Sequence, residues 1–72
     1  MQSKALDKAR IEIGIKKVRH TFAHVSDPAD FDNWLDSPAP AWGGLTARQM
    51  VIEGRTDEVV SSLEAILDGI YL

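Results

Sequence analysis

His20 and His24 lie one helical turn apart, a spacing that lets two imidazoles reach a single metal ion. Asp27 or Asp30 could add a carboxylate. Two histidines without a defined third ligand are nevertheless a weak metal signature, and Lys16 and Lys17 nearby oppose a cation. The pair reads more simply as two polar side chains on the outer face of an amphipathic helix. Asp27, Asp30, Asp32 and Asp36 supply the paired carboxylates that a hydrolase uses, but they also suit the caps and solvated side of a short helix. That second role is favoured, because a ligand pocket of about 300 Å³ fits poorly inside so small a core. There is no cysteine nucleophile and no G-x-S-x-G. Gly43-Gly44 lacks the following lysine and the preceding strand of a phosphate loop. No catalytic residue, cofactor or metal site is expected, and the chain does not read as an enzyme.

The elements that must position these side chains belong to one domain spanning residues 1–72. A domain of this length buries only about 60% of the surface its unfolded chain exposes. Without cysteine, disulfides and thiolate metal sites cannot supplement the core. With 44% hydrophobic and 26% charged residues, the composition is that of a globular rather than a disordered chain. No apolar run approaches the ~18–20 residues of a membrane span, and Met1-Gln2-Ser3-Lys4 lacks a signal peptide's apolar segment. A soluble, cytoplasmic chain is expected. A small core without staples favours oligomerisation or a bound partner as the missing stabilisation. The net charge of −3 is unevenly placed, at +4 for residues 1–25 and −7 for residues 26–72. Only the first third could offer phosphate a basic patch, and a solvated helix face explains those charges more simply.

Punctuation at Ser26-Asp27-Pro28, Ser37-Pro38-Ala39-Pro40, Gly43-Gly44, Gly54 and Gly69 predicts an all-α fold. It divides the chain into about four helices, one long and three shorter. The first runs from about Ser3 to Val25, with Ile11, Ile15, Val18, Phe22 and Val25 on one apolar stripe. Leu6, Ala9 and Ile13 fall roughly opposite. Leu6 and Ile13 either pack under a neighbouring helix or contact a second protein chain. Asp27 and Pro28 read as the cap and first residue of a short helix carrying Phe31, Trp34 and Leu35, which must end near Asp36 because Pro38 follows Ser37. Thr46-Ala47-Arg48-Gln49 fits a capping box, opening a helix of about two turns that Gly54 ends in a left-handed conformation. Thr56 is the expected cap of the last helix, where Val59, Leu63, Ile66 and Ile70 form one stripe and Gly69 is a candidate stop.

Two short helices joined at Gly54 superficially suggest a helix-turn-helix. The second begins Thr56-Asp57-Glu58, which places negative charge where DNA would lie. DNA binding is therefore not expected from this chain. Trp42, among prolines and glycines, is expected to plug the core. Tyr71 and Leu72 at the end of the chain either fold back or probe a partner's groove.

Phe31 to Leu72 resembles the toxin-binding domain at the C-terminus of MbcA/ParS/Xre-type antitoxins. Trp34-Leu35 and the run Ser37-Pro38-Ala39-Pro40-Ala41-Trp42-Gly43-Gly44-Leu45-Thr46 carry the match. Gly54, the Val59-Val60, Leu63, Ile66 stripe and the closing Gly69-Ile70-Tyr71-Leu72 complete it. The resemblance implies a small helical module that forms a homodimer and binds a RES-domain toxin, an enzyme that consumes NAD. In that family the antitoxin's C-terminal end covers the toxin's active site. Carried over, Gly69, Ile70, Tyr71 and Leu72 become the candidate blocking segment, with Leu6 and Ile13 a possible oligomer interface and the Trp42-Gly43-Gly44 loop structural. Ala47 stands where the family usually has a proline, and nothing upstream of Lys8 encodes the DNA-binding helix-turn-helix of full-length members. The chain is thus expected to be either a fragment or a stand-alone module.

Overall fold

Ile11, Ile15, Val18 and Phe22 recur at the spacing that sets them on one side of a helix. In the computed structural model, which describes residues 4–70, they form the inner face of α1 (Lys4–Phe22). Val18 and Phe22 are buried, and Ile11 and Ile15 pack partly covered against the same core. The helix stops one turn before the expected Val25. Past Ala23, whose N–H still reaches the Arg19 carbonyl, the bonds tighten: the N–H of His24 donates to Thr21 and that of Val25 to Phe22. The chain is approaching Pro28, and Asp27 is already extended at ψ 124°, as a residue before proline prefers. Val25 still reaches the core from this turn.

Asp27 caps the next segment as expected, its carboxylate accepting from the Ala29 N–H at 2.9 Å. Proline at the first position favours a tight turn, and Pro28–Asp30 is a 3₁₀ turn that runs into α2 (Phe31–Leu35). Phe31 and Leu35, one turn apart, are both buried. Phe22 meets Phe31 edge-on with centroids 5.4 Å apart and Trp34 at 4.9 Å, an aromatic cluster that joins α1 to α2. Arg19 covers its outer side, its guanidinium carbon 5.0 Å from the Phe31 ring centre.

The Ser-Pro and Gly-Gly segment is an ordered loop closed by its own hydrogen bonds. Pro40–Trp42 forms a second 3₁₀ turn, and Ala39 closes the loop twice, donating to the Leu45 carbonyl and accepting from the Gly44 N–H. Gly43 and Gly44 both adopt positive φ, which lets the chain reverse within this ring. Trp42 is half-buried and packs on the core, the plug role anticipated for it.

α3 (Ala47–Ile52) opens with the expected capping box: the Gln49 N–H donates to Thr46 Oγ1 at 3.1 Å, and the Thr46 N–H donates to Gln49 Oε1 at 2.9 Å. Ala47, at the first helical position, is buried. Gly54 (φ 80°) ends α3 in a Schellman arrangement, with its N–H on Val51 and that of Arg55 on Met50. α4 (Thr56–Ile70) follows at once. Here the expected cap is off by one residue: Thr56 is already helical, and Arg55 offers the first carbonyl, to Glu58 and Val59. The Arg55 side chain turns to Glu58, so the helix start is secured by an ion pair. Gly69 does not stop the helix, which continues through Ile70 to the limit of the described residues.

Gly14 is a helical glycine that costs about 1 kcal/mol relative to alanine, and tertiary packing explains its presence. A Cβ there would lie 2.7 Å from both Thr56 Oγ1 and Val51 Cγ1. The start of α4 and the side of α3 thus press onto the bare backbone of α1. From this contact α4 heads toward the C-terminal half of α1, with Asp57 and Val60 lining the same groove as Lys17 and Thr21. The two long helices are staggered, in keeping with extents of 47 × 24 × 20 Å. Among the described residues there is no strand, and the fold is a small all-α bundle of four helices. No helix of the described residues is long and apolar enough to cross a membrane.

Candidate protein-binding face

The stripe on α4 begins inside the core and runs out of it. Val59 is fully buried and Leu63 is 2% exposed, but Ile66, next on the same stripe, is 52% exposed. Leu67 beside it is half-buried, and around Gly69 nothing comes within 4 Å of where a Cβ would stand. α4 therefore projects its last turns beyond the helices that cover its first ones. Of the proposed blocking segment, Gly69 and the backbone of Ile70 fall in this projecting end. Tyr71 and Leu72 lie outside the described residues.

On α1, Ile13 is 62% exposed and faces away from the core stripe, as its position on the helix predicted. Among the described residues no neighbouring helix covers it, against the reading that it packs under one. Leu6 belongs to α1, but its side chain lies outside the described residues. Ile13 opens a groove of about 470 Å³ floored with Val60 of α4 and flanked by Lys16, Lys17, His20 and Asp57. It is a trough between two helices at the surface, which is how so small a domain accommodates such a volume. From the sequence, Lys16 and Lys17 read as charges opposing a metal and as part of a solvated basic helix face. That they share an arc of α1 with Ile13 was the available signal, and the facing arc of α4 was the missing half.

Two of the four clustered carboxylates, Asp27 and Asp36, are engaged in structure, while Asp30 makes no side-chain capping bond. Asp27 caps its turn, and Asp36 receives Arg48 at two points, 2.7 and 3.2 Å. The hydrogen bond from Arg48 lowers the Asp36 carboxyl below its ordinary value, and the same bond raises the Arg48 guanidinium. Arg55 binds Glu58 at 2.9 and 3.1 Å and approaches Glu53 at 3.6 Å. Its hydrogen bond lowers the Glu58 carboxyl, and Arg55 is raised in turn. His24 Nδ1 lies 3.0 Å from the His20 carbonyl, and the two rings meet edge-on at 5.2 Å. Among the described residues, no group of three or more His, Asp or Glu is placed to hold a metal ion. Comparison with models of known families, with curated proteins and with solved structures finds no match for this chain.

Proposed function

We propose that this chain is a protein-binding module of the antitoxin type, acting in the cytoplasm to neutralise a RES-domain toxin that consumes NAD. The projecting end of α4 and the residues after it, Gly69, Ile70, Tyr71 and Leu72, enter the toxin's substrate site and exclude NAD. One observation carries the reading: the apolar stripe of α4 continues one full step beyond its cover, from the closed Leu63 to the open Ile66. An uncovered apolar side chain on a rigid helix end is the kind of anchor that fills a partner's pocket. The Ser-Pro and Gly-Gly loop that carries much of the family resemblance serves a different purpose, holding Trp42 against the core. No residue is assigned a catalytic role, and DNA binding is not part of the proposal.

The test is co-expression with a RES-type toxin encoded beside this gene, with NAD consumption as the readout. The full chain should co-purify with the toxin and suppress NAD loss. A chain lacking residues 70–72 should keep its helical circular dichroism and inhibit at least ~10-fold less well, the loss expected for removing central apolar anchors. Undiminished inhibition by the shortened chain would reject the role of the tail.

A second reading is self-association without a toxin, and the exposure of Ile13 favours it. In that reading Leu6 and Ile13 meet a second copy of the chain.

A further inference from the structure

We infer that the groove between α1 and α4 docks a partner protein through a short acidic, amphipathic helix. The site lies apart from the projecting end of α4 and does not depend on any toxin. Ile13 belongs to an arc of α1 that continues at Lys16, Lys17, His20 and Thr21, the i+3, i+4, i+7 and i+8 positions of one helical face. That face changes character along its length, from an apolar side chain to two ammonium groups and an imidazole. On the other side α4 contributes the half-buried Val60 and the exposed Asp57. The groove of about 470 Å³ thus has an apolar floor, a cationic wall on α1 and a carboxylate on the opposite wall. Among the described residues, Lys16, Lys17 and Asp57 take part in no ion pair, although Arg10, Arg48 and Arg55 all do.

This combination selects its occupant. An apolar floor favours one buried aliphatic or aromatic side chain, and two lysines without partners favour carboxylates beside it. Asp57 repels acid on the other flank, so the occupant's negative charge belongs on the side facing α1. Ile13 to Thr21 extends about 12 Å along α1, the length of about two turns of a docked helix. An apolar anchor with charge along one flank is the pattern of helix-in-groove recognition. Other ligands fit less well. A nucleic acid would bring phosphates against Asp57 and against the −7 charge of residues 26–72. A bilayer takes up an apolar face that protrudes into it, whereas this floor is recessed between two helices. A small molecule would lie in an open trough that cannot enclose most of its surface.

The probe is a synthetic helical peptide of about 14 residues, with leucines on one face, glutamates along one flank and glutamines along the other. Fluorescence anisotropy of the labelled peptide measures its binding to the purified full chain, and amide shifts in NMR spectra of the chain locate it. The peptide should bind, move the amides of residues 13–21 and 57–60, and bind more weakly as salt rises. Replacing its glutamates by glutamine should weaken binding at least ~10-fold, as should Ile13→Glu, or Lys16→Glu with Lys17→Glu, in the chain. Asp57→Asn should tighten it. Ile13, Lys16, Lys17 and Asp57 are exposed, so circular dichroism should be unchanged throughout. Deleting residues 70–72 should leave peptide binding intact, so loss of toxin inhibition and loss of this site are told apart. A chain that ignores the acidic peptide, binds the glutamine version equally, or binds phosphatidylserine vesicles or duplex DNA more tightly overturns the inference.

Discussion

Val59, Leu63 and Ile66 share one stripe of one helix, yet the first two are shut inside the core and the third is half open to water. Their side chains are similar in size and apolar character, and their spacing is that of a single helical face. What separates them is the reach of the other helices. Phe22 ends α1, and Phe31, Leu35 and Met50 complete the core that covers Val59 and Leu63. A hydrophobic stripe therefore tells which side of a helix avoids water, and only the lengths of its neighbours tell how far along that side the shelter extends. The same contrast divides α1, where Val18 is fully covered and Ile13, on another face, is not.

Truncations along the α4 stripe probe this contrast most strongly. Leu63→Ala should destabilise the fold by about 2–5 kcal/mol, enough to unfold much of so small a domain, while Ile66→Ala should change stability by only about 0.5 kcal/mol. Urea unfolding of the isolated chain measures both, and equal losses would erase the distinction between the closed and open parts of the helix. A smaller effect is expected at the helix contact. Gly14→Ala should cost about 1–3 kcal/mol despite the better helix propensity of alanine, because its methyl meets Thr56 and Val51. If it stabilises the protein instead, α1 and α4 do not press together as closely as the structure shows.

The mildest effect belongs to the exposed ion pair between Asp36 and Arg48, which links α2 to α3 across the surface. Arg48 lowers the folded carboxyl below its unfolded value. The resulting stabilisation is complete above the unfolded pKa and is lost as pH falls through the folded one. Asp36→Asn should therefore lower neutral-pH stability slightly, by the same small amount by which it flattens the acid limb of stability against pH. Thermal unfolding across the acidic range measures it, and an unaltered acid limb would show that the pair contributes nothing.

The parts of the fold legible in the sequence are those decided within a few residues. Thr46 and Gln49 form their capping box, Asp27 and Pro28 start their turn, and Gly54 takes positive φ because each needs only its near neighbours. Gly14 was not legible in this way. Within Ile-Glu-Ile-Gly-Ile it resembles an interruption, and its purpose exists only once Thr56 and Val51, distant in sequence, arrive beside it. The start of α4 was misplaced by one residue for a related reason. A threonine competes well for the capping position, but Arg55 is committed there by the preceding glycine reversal and by its bond to Glu58. The outward position of Ile13 followed from helical arithmetic. The groove it opens did not, since half of its wall comes from another helix.

The Gly14 contact has a mechanical consequence at a distance. From Thr56 to Ile70, α4 is an arm about 20 Å long whose near end rests on a bare backbone. A change of about 10° in its tilt there would swing the far end through about 3–4 Å, close to the width of a methyl group. The aim of the projecting end is thus governed by a residue of α1 with no side chain, against which the opposite end of α4 rests.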